Sequence, residues 1–224
     1  MVEIKTAGPF KRYLTEIAIR SAMRGSEVLR SKWSLKQRLV NFFWDALVYR
    51  HIRSYLGLGR VKIALTAAAP ISENLLVFLR SIGINIREIW GMTETTGAAS
   101  IQPAWGECAG RVGFFPEHIS PKIAQDGELL VKGPLVFKGY YQNKKITSET
   151  IVDGWLHTGD IATEFPDGSF TIIDRKKDIM INSAGKNLSP SLIENAMKIS
   201  HYIKECIVIA DKRPYVTALV QIDM

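Results

Sequence analysis

Between Val61 and Trp90 the chain runs VKIALT, AAAP, ISENLLVFLRS, INIREIW, and no other stretch restricts the possible folds as strongly. VKIALT (61–66) is an apolar run of strand length, and AAAP after it is a tight turn. ISENLLVFLRS has helical spacing, with Ser72 placed to cap its start and Gly83 to stop it. INIREIW (84–90) is a second strand. A crossover of this length predicts parallel strands with a helix laid on the sheet. In such sheets ligands collect outside the carboxyl ends of the strands. AAAP and GMTE both fall at those ends.

The flanking segments follow other patterns. From Phe10 to about Leu58 the spacing is helical: Phe10, Leu14, Ile17 and Ala18 share one face, as do Leu39, Phe42, Phe43, Ala46 and Leu47. Gly57 and Gly59 end this region. After residue 110 short strands alternate with hairpin signals, Gln125-Asp126-Gly127 and Pro166-Asp167-Gly168, which predicts an antiparallel region. The charged run DRKKD (174–178) then interrupts the chain, with no apolar periodicity to bury. Beyond it Ser189 and Pro190 suit a helix start, followed by strands YIKECIVIA and VTALVQID, the latter introduced by Pro214. The expected fold class is α/β: a parallel βαβ sheet portion of a large domain with an antiparallel β region, then the start of a small α+β domain. The boundary is expected at about Lys177, dividing residues 1–176 (with a basic helical region at 1–60) from a hinge and small domain at 177–224. So short a second domain is marginal as an independent fold, so the chain is expected to stop before that domain does.

With 46% hydrophobic residues, 9 Pro and 17 Gly, the composition is that of a globular protein. No apolar run approaches the roughly 18 residues that span a bilayer, and the start MVEIKTAGPFKRYL lacks the apolar core of a secretory signal. Cys108 and Cys206 match no metal or redox spacing, so free thiols in a reducing cytosol are expected. Charge is uneven: residues 1–62 hold 13 Lys+Arg against 4 Asp+Glu, a balance of +9, while the whole chain is +7. Such a front attracts anionic surfaces, or else is an ordinary solvated helical face. Its basic residues lie on helices with apolar stripes and form no aromatic-interleaved platform of the single-strand-binding kind, which argues against nucleic acid.

Six motifs follow in order: TAAAPIS, WGMTETTG, GELLVKGPLVFKGYY, GWLHTGD, IDRKKD and SAGKNLSP…IE. Singly, each also reads as a polar loop, a turn or a solvated charge run. Together they resemble the adenylate-forming superfamily of acyl-CoA synthetases, firefly-type luciferases and peptide-synthetase adenylation domains, over roughly 160 residues from Val61 to the end. The resemblance implies a carboxylate attacking the α-phosphate of ATP, which needs an adenosine cradle, a metal on the phosphates and exclusion of water. It implies that Thr93 hydrogen-bonds the α-phosphate and Glu94 ligates Mg²⁺, a hard cation suited to a carboxylate. Trp90 takes the position that stacks on adenine, where Tyr is more usual, with Gly91 beside it. Ala67, Ala68 and Ala69 let the backbone approach the purine, in a stretch where the family often has Gly. Asp160 matches the acid that accepts from both ribose hydroxyls, a task for which a carboxylate is well equipped. Arg175 matches the arginine on ribose and phosphate, Lys177 the hinge, and Gly185 the loop lining the passage for CoA. His157 is assigned to packing.

The family's Ser/Thr/Gly-rich phosphate loop and its lysine on carboxylate and phosphate have no counterpart in residues 1–224, so this piece alone is expected to be inactive. Within the family, VYRHIRSYLGLGRVKIAL, NSAGKNLSPSLIE and the small residues Gly97, Ala98 and Ala99 resemble the long-chain fatty acyl-CoA synthetases, although small residues also suit close strand packing. The expected function is therefore long-chain fatty acid–CoA ligation using ATP, Mg²⁺ and CoA. An aryl or medium-chain acid ligase, or a non-catalytic remnant binding lipid, are the alternatives. The expected setting is the cytoplasm, peripheral to an anionic membrane face, with a fatty acid as substrate, no nucleic acid, and an open oligomeric state.

Overall fold

The computed structural model describes residues 8–26, 34–68, 71–104, 110–200 and 202–223. They divide into two compact units, Met1–Ile89 with Ile101–Gly110, and Trp90–Ser100 with Arg111–Met224. Among the described residues no helix is long and apolar enough to cross a membrane.

In the first unit α1 (Pro9–Ser26) precedes α2 (Leu35–Trp44), whose start carries a capping box between Ser34 and Gln37. One wide π turn, Asp45–Tyr49, leads into α3 (Arg50–Tyr55). Val48 and Tyr49 of that turn are buried, and the Tyr49 hydroxyl donates to Ala18 O at 2.7 Å. Ala18, Ala22, Leu76, Ile82 and Ile84 complete the core around them. The apolar face of α2 is another matter: Leu39, Phe42 and Phe43 are exposed, as is Leu47 of the π turn, and α2 has no buried residue. The helix reaches the core through half-buried Trp44 at its end and the π turn that follows, and not through the stripe its spacing suggests.

The crossover follows, with β1 (Ala64–Thr66), α4 (Glu73–Ser81) and β2 (Ile86–Met92). β1 and β2 are parallel, Ala64 opposite Ile86, and β3 (Gly97–Ile101) extends the sheet in the order β1-β2-β3. Ser72 occupies the cap position of α4 without a side-chain cap bond, while Gly83, at φ +92°, ends the helix. Beneath the strands lies a buried polar chain: Arg80 Nη2 donates to Gln102 Oε1 at 2.6 Å and Gln102 Nε2 to Glu88 Oε2 at 2.8 Å.

The second unit centres on an antiparallel sheet of β4 (Ser120–Ile123), β5 (Glu128–Lys132), β6 (Ile151–Val152), β7 (Trp155–Glu164) and β8 (Phe170–Arg175). Both hairpin turns form, with Gly127 at φ +86° and Gly168 at φ +81°. α5 (Lys144–Thr150) precedes β6. Strand alternation along β7 buries Leu156, Thr158, Asp160 and Ala162, so an acid shares the inner face with core residues. Past the turn at 176–178 come β9 (Met180–Ile181), β10 (Asn187–Leu188), α6 (Pro190–Met197), and the antiparallel pair β11 (Ile203–Ile209) and β12 (Thr217–Ile222). Ser189 caps α6, accepting from Leu192 N, with Pro190 in the first turn. Cys206 is a buried free thiol, and Cys108 lies outside the described residues.

Candidate functional site

The end of β2 is shaped by a glycine. A Cβ on Gly91 would lie 2.0 Å from Gly97 O, so only glycine allows the backbone there to come so close. A single tight turn, Thr93–Thr95, follows. Buried Thr95 pins it, its Oγ1 accepting from Met92 N at 2.9 Å and donating to Gly97 O at 2.7 Å. Glu94 is held at both ends. Its carbonyl accepts from Phe137 N at 2.8 Å, and its Oε1 accepts from the Tyr140 hydroxyl at 2.5 Å. The neighbouring Glu94 carboxylate raises the Tyr140 phenol above its usual range. Thr93 is exposed. Tyr140 lies in the GELLVKGPLVFKGYY motif, and nothing in its local spacing signals a partner 46 residues away.

Asp160 is 3% exposed, and each carboxylate oxygen has a donor at 2.8 Å: Trp90 Nε1 on Oδ2 and Arg175 Nε on Oδ1. An ionised carboxylate offers about four acceptor positions, so one on each oxygen is left for a ligand. Burial pushes the carboxyl up, and the Trp90 and Arg175 donors only partly oppose it. Trp90 is itself 8% exposed and meets Phe115 edge-on, centroids 5.9 Å apart, in the core of this unit. Behind Asp160, the buried Glu128 carboxylate accepts from Gly159 N at 2.9 Å and pairs with Lys176 Nζ at 3.0 Å. Glu128 and Lys176 sit inside two recognised motifs, yet their contact depends on strand pairing that spacing alone does not display.

Trp90, Asp160 and Arg175 are thus brought together, and Gly91, Thr93 and Glu94 follow Trp90 along the same chain segment. Ala67 and Ala68 belong to the other unit and are exposed in the turn after β1. Ala68 adopts φ +71°, a left-handed conformation that glycine takes without strain. Ala69 lies outside the described residues. Lys177 is exposed in a turn closed by Asp178 N to Arg175 O at 2.9 Å. The DRKKD run around it is not a plain solvated stretch. Asp174 is buried and accepts from Ser189 Oγ at 2.5 Å and Ser191 Oγ at 3.0 Å, and Lys176 also pairs with Asp126 at 2.6 Å. Gly185 has φ +75° in the turn between β9 and β10, and a Cβ there would meet open space, so its dihedral requires glycine and its surroundings do not. Among the described residues no three His, Cys, Asp or Glu side chains gather as a metal site. Glu94 alone fits a cation that keeps waters and takes its other ligands from phosphate.

A buried acid with two unused acceptor positions, an arginine beside it, and an exposed Thr93 next to a half-buried Glu94 at a strand's carboxyl end together suit a ligand carrying a diol and a phosphate. Comparison with known proteins shows the family. The model of the AMP-binding enzyme family matches residues 36–141, and that of the AMP-binding enzyme C-terminal domain matches 177–223. A long-chain-fatty-acid–CoA ligase (FadD15) of Mycobacterium bovis is 36% identical over 222 residues, covering 99% of this chain and 37% of the relative. Long-chain-fatty-acid–CoA ligase 5 of Rattus norvegicus is 37% identical, covering 92% of this chain and 31% of the relative. The chain thus spans about a third of the length of these curated relatives. Among solved structures, o-succinylbenzoate CoA synthetase (MenE) from Bacillus subtilis in complex with AMP matches with TM-score 0.67 at 26% identity, over 73% of this chain and 37% of that one. The same enzyme in complex with ATP and magnesium ion matches with TM-score 0.64 at 28% identity, over 71% and 36%.

Proposed function

Because this chain belongs to the AMP-binding enzymes, we propose that it supplies the nucleotide-binding and hinge part of a long-chain fatty acid–CoA ligase. That enzyme joins a fatty acid to AMP from ATP, releasing pyrophosphate, and then transfers the acyl group to CoA. The observation that carries the reading is Asp160: buried, held by Trp90 and Arg175, and still able to accept two hydrogen bonds. In this reading Asp160 takes both ribose hydroxyls and Arg175 reaches from ribose to phosphate. Thr93 donates its hydroxyl to the α-phosphate. Trp90 contributes mainly by holding Asp160. Glu94, oriented by Tyr140, is the residue that would hold magnesium, which when bound neutralises phosphate charge against the approaching carboxylate. Gly185 lines the CoA passage, and Lys177 is the hinge between the two steps. The fatty-acid choice follows the relatives' chemistry. Peripheral contact with an anionic membrane face in the cytoplasm is supported by the +9 balance of residues 1–62 and by the exposed apolar face of α2.

The test is equilibrium binding of AMP to the 224-residue chain and to Asp160→Asn. An amide offers one acceptor oxygen where the carboxylate offers two, and hydrogen bonds to charged groups are worth about 1.5–3 kcal/mol each. AMP binding should therefore weaken at least tenfold in Asp160→Asn. Equal affinity in both proteins would remove Asp160 from the nucleotide site.

A further inference from the structure

We propose that Glu128 and Lys176 are positioning residues for the nucleotide site, replacing a missing stretch of strand pairing so that Asp160 is aimed at the ribose. This rests on the assignment of Asp160 to the nucleotide. β5 and β7 are paired on both sides of the site, Glu128 opposite Ile161 and Leu130 opposite His157. Two steps along β5 therefore answer four along β7, and residues 158–160 form the irregularity. Irregularities of this kind re-aim side chains, and leave backbone groups without ladder partners. Here Gly159, at φ +71°, is the residue displaced. Its N–H goes to Glu128 Oε1 at 2.9 Å, while its carbonyl accepts from Lys176 N at 2.8 Å, one step beyond the β7–β8 pair Asp160–Arg175 and in the same register. Thr158 Oγ1, next to it, donates to Leu129 O at 2.7 Å.

Glu128 itself is 5% exposed, on a strand whose next three residues are Leu129, Leu130 and Val131. A buried carboxylate there is expensive unless paired and hydrogen-bonded. Its second oxygen is paired with Lys176 Nζ at 3.0 Å and lies 3.3 Å from His157 Nδ1. Burial pushes the Glu128 carboxyl up, but Lys176, the Gly159 N–H and His157 outweigh it and hold the group below its usual range, so it is ionised at neutral pH. Lys176 thus grips the irregularity twice, by its backbone on Gly159 and by its side chain on Glu128. It directly precedes Lys177, so the turn and the strand bearing Asp160 are fixed to one another.

The experiment measures AMP binding by calorimetry for the 224-residue chain, Glu128→Gln, Glu128→Ala and Lys176→Met, each alone and combined with Asp160→Asn. Amide hydrogen exchange at Gly159 is followed alongside. Glu128→Ala should weaken AMP binding about tenfold and speed Gly159 exchange, with Glu128→Gln, which keeps an acceptor for Gly159, falling between it and the parent. In the Asp160→Asn background the same substitutions should change AMP affinity little, because they act through Asp160. Should Glu128→Ala fail to fold, Lys176→Met carries the test, with a loss of a few-fold. Unchanged affinity in the folded variants overturns this inference, as does an equal loss with and without Asp160. If the parent chain bound no AMP, the ribose assignment would fall and this inference with it; parent binding that the variants leave intact overturns this inference alone.

Discussion

Gly91 and Asp160 show two ways in which a site imposes on single residues. Gly91 has no space for a side chain, since its Cβ would meet Gly97 O at 2.0 Å and Ala98 Cα at 2.8 Å. Both neighbours are backbone, so relief requires β3 to move. Gly91→Ala should cost about 1–3 kcal/mol of stability, measured as a lower urea midpoint, with disturbed Thr93–Thr95 geometry. At Asp160 the folded carboxyl titrates above its ordinary value, chiefly through burial. A carboxyl raised on folding binds protons more tightly in the native state, so stability declines as pH climbs from the unfolded value through the folded one. At pH 7 the native chain carries that cost and Asp160→Asn does not. The variant should be no less stable in urea at pH 7 while binding AMP more weakly, and its advantage should shrink as pH falls towards about 4 and be gone below it. Such opposition between stability and binding is expected of a functional acid and not of a structural one.

Among the elements, the crossover β1–α4–β2 carries its own buried polar chain, Arg80–Gln102–Glu88, between strand and helix end. Burial raises the Glu88 carboxyl, against the Gln102 hydrogen bond and the Arg80 charge. By the same sign, this acid's contribution to stability falls as pH rises from about 4.5 upward. Glu88→Gln keeps an acceptor for Gln102 and removes the charge, so it should match or exceed the parent in stability at pH 7 and lose that lead as pH falls. A clear destabilisation at pH 7 would mean that the Arg80 charge needs Glu88 more than burial penalises it. α2 shows the contrary case, a capped helix whose apolar side faces outward, since the neighbouring π turn supplies the buried contacts. For β7, simple alternation placed Asp160 inside, and the irregular pairing with β5 then gave it its aim.

For the whole molecule, the proposed hinge at Lys177 would set how the segment beyond it relates to the sheet. Asp174, Arg175 and Lys176 are committed to side-chain contacts, so in the proposed hinge the dihedral change falls to Lys177, at the cost of the turn bond from Asp178 N to Arg175 O. Proline at 177 fixes φ near −65° and biases Lys176 away from helical values. In a ligase carrying this chain, Lys177→Pro should let acyl-adenylate form while transfer to CoA falls at least tenfold, read from single-turnover assays of each step. Equal losses in both steps would assign Lys177 to folding or to nucleotide contact.

Local rules sufficed for the crossover, both hairpin turns, the Ser189–Pro190 helix start and the motif order, because each depends on neighbours within a few residues. Asp160, Glu94 and Arg175 entered through the resemblance of their motifs to a family, and not through local rules. Tertiary structure alone decided that Trp90 donates to an acid 70 residues away, that Tyr140 holds Glu94, and that Glu128 reaches Gly159 across a break in the ladder. It also decided that the stripe on α2 stays exposed and that DRKKD is largely engaged. The physical reason is common to these cases. A side chain's type and its local turn are short-range properties, whereas which donor meets which acceptor depends on strand register and chain crossing, and a shift of one residue would redirect every such contact.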